Sequence, residues 1–135
     1  MHPFSYAVAA LSALACTAVV AMTGDSVAVP FRGAWVSAKA TCESPLRVVI
    51  DANVVTFVNG AQRAEFRKLE QCFSCMGRDV QDLTLLSTEA MGDSPFTITL
   101  DGRKKSRPGL SVDLGNDKKL AAQFPLGSGA LKRCP

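Results

Sequence analysis

Phe96-Thr97-Ile98-Thr99-Leu100, followed by Asp101-Gly102, is the stretch that decides the fold. Apolar and polar residues alternate strictly across five positions and stop at a turn dipeptide, the pattern of a half-buried antiparallel strand. Leu110-Ser111-Val112-Asp113-Leu114 repeats it and ends at Gly115-Asn116-Asp117. Upstream, the β-branched runs 46–50 and 54–58 are separated only by Asp51-Ala52-Asn53, a short hairpin connection. Asn59-Gly60 then turns the chain into 63–69, where Ala64 and Phe66 share one face. Segments 31–36, 80–86 and 118–124 complete a set of about eight expected strands. Only 80–91 competes as a helix, and Thr84, Ser87 and Thr88 favour strand there.

Turn signals at this spacing predict an all-β domain, a small antiparallel β-barrel or sandwich, rather than a βαβ fold. One polar and one apolar face per strand suits antiparallel pairing, and closure into a barrel would remove exposed edges. The sequence carries no internal repeat and no low-complexity linker.

The chain has 135 residues, and its first 24 contain no Asp, Glu, Lys or Arg. An apolar run from Tyr6 to Met22, then small residues, reads as an export signal. Ser26-Val27-Ala28 predicts cleavage after Ala28, giving a cleavable signal over 1–28 and one domain over 29–135. Val19-Val20-Ala21 is the second possible cleavage site. Ala13-Leu14-Ala15-Cys16 resembles a bacterial lipoprotein signal with Cys16 acylated, and a retained apolar anchor ranks third. The expected location is therefore periplasmic or secreted, with a membrane role only if Cys16 is acylated or the leader retained.

Five cysteines become four once Cys16 departs: Cys42, Cys72, Cys75 and Cys134. An even count in an oxidising compartment predicts disulfides. Three connectivities exist; Cys42 with Cys72 or Cys75 is favoured, because it closes a loop around one hairpin, and the leftover cysteine then reaches Cys134. Cys72-Phe73-Ser74-Cys75 has the spacing of a redox motif. Thioredoxin-type chemistry needs it at a helix amino terminus, and Met76-Gly77-Arg78 makes a poor helical first turn. The four thiols are therefore expected to be structural rather than redox-active or zinc-binding.

The net charge is +3, with Arg103, Lys104, Lys105 and Arg107 the only basic cluster. As a solvated loop it needs no function; as a patch it suits an acidic partner or anionic lipid. Without interleaved aromatics in an exported chain, nucleic acid is not an expected partner. His2 is the only histidine and falls in the leader. The domain then lacks an imidazole base, a Ser-His pair and a His-bound zinc. Glu65 and Glu70 lie five apart, on opposite faces of an extended chain, as do Asp79 and Asp82. No catalytic residues and no cofactor are expected, so the domain reads as a binding protein rather than an enzyme.

After Phe31-Arg32, Gly33-Ala34-Trp35 opens the expected first strand, and Cys42 and the strand 46–50 follow. A Gly-x-Trp in this place resembles the lipocalin and fatty-acid-binding calycins, whose late arginine packs over the tryptophan; Arg133 is the matching position. The order Gly33, Trp35, Cys42, strand, Cys72 is closer to the small periplasmic inhibitors of secreted bacterial metalloproteases. That resemblance implies an eight-stranded barrel whose free amino-terminal segment, Val29-Pro30-Phe31-Arg32, enters a protease cleft. An exported protease or envelope protein is then the expected partner. The competing expectations are a calycin-like protein with a small ligand and an envelope lipoprotein.

Overall fold

A computed structural model describes residues 26–77, 82–88 and 93–135. Residues 1–25 of the expected leader, with Cys16, and Asp79 lie outside the described residues. The domain is all-β, as the alternating runs predict. Its strands are β1 (Gly33–Ser37), β2 (Leu46–Ile50), β3 (Val55–Asn59), β4 (Gln62–Phe66), β5 (Glu70–Cys72), β6 (Leu83–Ser87), β7 (Thr97–Asp101), β8 (Gly109–Asp113) and β9 (Ala130–Arg133). They form one antiparallel sheet in the order β4-β3-β2-β1-β9-β8-β7-β6-β5, curled into a half-barrel.

That order is two meanders joined where β9 slots between β1 and β8. It is the strand order of an up-and-down barrel left open between β4 and β5. Only residues 67–69 link those two edges. Inside the curl, rings fill the space that a ligand would need. Phe57 lies 5.9 Å from Phe66, 5.3 Å from Phe96 and 5.9 Å from Phe124, and Phe66 lies 5.0 Å from Phe96. Trp35, Val48, Val55, Leu86 and Ile98 complete a core with no solvent exposure. Most of these ring pairs meet edge-on, the arrangement that the aromatic quadrupole favours.

Three expectations need correction. Segment 118–124 is not a strand: Lys118–Gln123 is a helix, α1, with the Asp117 carboxylate accepting from the Leu120 N–H at its start. Capping by a side-chain oxygen stabilises that turn, and Leu120 and Phe124, four apart, then both face the core. The expected strand 63–69 ends at Phe66, and β5 and β9 bring the total to nine. The first expected strand starts late: Val29–Phe31 form a single 3-10 turn before β1.

The disulfide pairing also differs. Cys42 bonds Cys134 and Cys72 bonds Cys75. Cys42 does not pair within its hairpin region because β9 carries Cys134 along β1, where the Cys134 N–H donates to the Ala34 carbonyl at 2.8 Å. Cys42, in the loop after β1, is then its neighbour. The long bridge spans 92 residues and the short one three. In the chain-entropy picture the first is worth about 4–5 kcal/mol and the second about 2.

Candidate functional site

The resemblance placed function on residues 29–32, and the fold holds that segment against the body. Phe31 is buried, and its carbonyl accepts from the Trp35 indole N–H at 2.9 Å. The Arg32 Nε–H donates to the Val27 carbonyl at 2.7 Å. Val27 itself has no solvent exposure, belongs to the core, and donates its N–H to the Ala52 carbonyl. The folded unit thus takes in residues ahead of Val29. Of the four, only Val29 and Pro30 are exposed.

Gly33, Trp35 and Arg133 do meet. Trp35 stands opposite Arg133 in the β1–β9 ladder. The Arg133 guanidinium lies over Gly33, where a β-carbon would come within 3.2 Å of Nε. Gly33 has φ +122°, which β-carbon-bearing residues rarely adopt.

On the outer face of β8 and β9, next to this seam, lies a recess of about 710 Å³. Gly109, with no side chain, and Ala130, with a small one, leave its floor low, and Ser106, Arg107 and Lys132 stand round it. Arg133 borders it through the strand, but opposite Trp35 its guanidinium is turned to Gly33 on the other face of β9. The ion pairs among the described residues are Arg67–Glu65 and Arg103–Asp101, so Arg107 and Lys132 of the recess are not neutralised by ion-pair partners. Glu43 is the acid that feels Lys132. Its carboxyl is held below the ordinary 4.5, first by a hydrogen bond with Thr41, then by a backbone bond, with a smaller pull from Lys132.

The positive face continues past β9. Lys132 pairs with Val36 in register, and one step along β2 stands Arg47, opposite Val58 of β3. Val36 is fully buried although it lies on the outer side, outside the interior core. Long cationic side chains on either side can shield it with their aliphatic stems. The Arg47 Nε is buried without a hydrogen-bond partner. A buried unpaired donor is costly, and an acceptor brought by a partner would satisfy it.

Sequence reasoning saw the cluster 103–107 but not this recess, because Lys132 joins Arg107 only through the β8–β9 pairing. Chemically the recess can bind; among the described residues no group of three or more His, Cys, Asp or Glu side chains is placed to hold a metal ion. No described helix is long and apolar enough to cross a membrane. The two disulfides are compatible with an oxidising compartment. No family model, curated protein or solved structure matches this chain.

Proposed function

We propose that this chain is an exported binding protein, working without catalysis, that holds an acidic segment of a partner protein in the recess framed by Arg107 and Lys132. The observation that carries the reading is two cations, Arg107 and Lys132, around one concave surface, neither in an ion pair among the described residues. Such a surface attracts and orients carboxylates, and the effect falls with salt. The aromatic packing inside the curl argues against a small ligand held in the barrel, since the interior is filled by side chains. If the partner is an exported protease, contact runs through this face rather than through 29–32, because Phe31 is anchored in the core.

The test is titration of the folded domain with a short Asp/Glu-rich peptide, followed by calorimetry at several salt concentrations. The double variant Arg107→Ser, Lys132→Ser should weaken binding about tenfold or more and flatten the salt dependence. Equal binding by parent and variant would overturn the assignment. Binding only to vesicles containing anionic phospholipid would give the same face to a membrane instead.

A further inference from the structure

Cys72 and Cys75 close a disulfide on themselves, and its surroundings are not those of a structural staple. The bridge links residues three apart and restrains the chain less than half as much as Cys42–Cys134, which ties distant parts of the fold. Residues 73–77 are all exposed, with Phe73 at 65% and Met76 at 45%. Cys75 is exposed and Cys72 half-buried. Two large apolar side chains thus stand in water beside an accessible disulfide at the end of β5, an open edge of the sheet.

The disulfide also heads a groove. Cys72 pairs with Leu85, Leu85 with Thr99, Thr99 with Ser111 and Ser111 with Ala130, one straight row across five strands. Beyond Leu85 that row is made of small side chains. Thr99, Ser111 and Ala130 line a recess of about 300 Å³ together with Leu83, the Asp101–Arg103 ion pair and Met76, the residue next to Cys75. A segment seated there meets Met76, one residue from the exposed Cys75.

We propose that Cys72–Cys75 is an exchange disulfide, which oxidises a pair of thiols in a protein segment seated in this recess. A thiolate of the incoming dithiol attacks Cys75 Sγ. The Cys72–Cys75 bond breaks, and Cys72 leaves as a thiolate that takes up a proton. The second thiol of the segment, deprotonated, then attacks its own bonded sulfur and releases Cys75. The segment gains a disulfide and loses two electrons; Cys72 and Cys75 gain both electrons and two protons. The two recesses share Gly109 and Ala130, but this inference does not rest on the acidic-segment reading, since it needs neither Arg107 nor Lys132.

The experiment uses the folded, fully oxidised chain and a short neutral peptide carrying two reduced cysteines. The reaction is quenched with acid, free thiols are alkylated, and the products are mapped by mass. The expected result is alkyl groups on Cys72 and Cys75, an intact Cys42–Cys134 bridge and peptide recovered as its disulfide. The rate should exceed about tenfold that of the isolated 70–77 peptide disulfide, because the recess raises the local thiol concentration. Thr99→Gln, which fills the recess without touching either cysteine, should remove that advantage and leave the rate with 2-mercaptoethanol unchanged. The proposal fails if the folded chain reacts no faster than the isolated peptide. It fails equally if Thr99→Gln leaves the peptide rate unaltered, or if Cys42–Cys134 is reduced first.

Discussion

The Arg133 guanidinium rests on Gly33, with Nε 3.2 Å from where a β-carbon would stand. The carboxy-terminal strand thereby locks the first one at the point where Gly33 takes φ +122°. Gly33→Ala meets both a forbidden backbone and a crowded neighbour. Because the arginine can shift, backbone strain is the larger part, about 1–3 kcal/mol. Urea unfolding should show a lowered midpoint of that size, and Arg133→Ala should not rescue it.

The two bridges should differ sharply in what they stabilise. Replacing Cys42 and Cys134 by serine frees the end of β9 and should cost about 4–5 kcal/mol at the upper bound. The same change at Cys72 and Cys75 should cost less than about 2 kcal/mol. Thermal unfolding of the two double variants, followed by circular dichroism, measures the gap.

Phe57 touches three other rings, from β4, from the residue ahead of β7 and from the end of α1. Phe57→Ala empties the centre of the curl and should cost about 3–5 kcal/mol. Binding of an apolar fluorescent dye should rise in this variant, because the void then admits a ligand that the parent excludes.

Removing residues up to Ala28 deletes Val27 and the acceptor of the Arg32 bond. A chain starting at Val29 should be less stable than one starting at Ser26 by about 1.5–3 kcal/mol, the value of burying one valine. Denaturant melts of the two forms decide it.

Asp101 accepts from Arg103 Nε at 2.9 Å and from Nη2 at 2.7 Å. That bidentate bond is the main reason its carboxyl sits below the ordinary 3.8, opposed by partial burial. A depressed folded value means that the contribution to stability is present above 3.8 and disappears as pH falls through the folded pKa. Carbon-detected NMR titration should place the Asp101 carboxyl below 3.8 and return it toward that value in Arg103→Ala.

Much of the sheet was legible in the residues. The runs at 46–50, 54–58, 96–100 and 110–114 lie within one residue of β2, β3, β7 and β8, since alternation reports which side faces the core. Segment 118–124 misled because short apolar–polar runs fit either period. Its helix signal was Asp117 as a cap with Leu120 and Phe124 four apart. Edge strand β5 is three residues long, too short to alternate visibly.

Sequence alone determined the fold class, the turns and the residues with chemistry to offer, because strand periodicity and turn preference act between near neighbours. Only the tertiary structure decided which of those residues meet. Inserting β9 between β1 and β8 brought Cys134 to Cys42, Arg133 onto Gly33 and Lys132 beside Arg107. It also left Cys72 and Cys75 to each other at an open edge. Pairings across some ninety residues are set by sheet order, and sheet order is chosen by the whole core rather than by any local stretch.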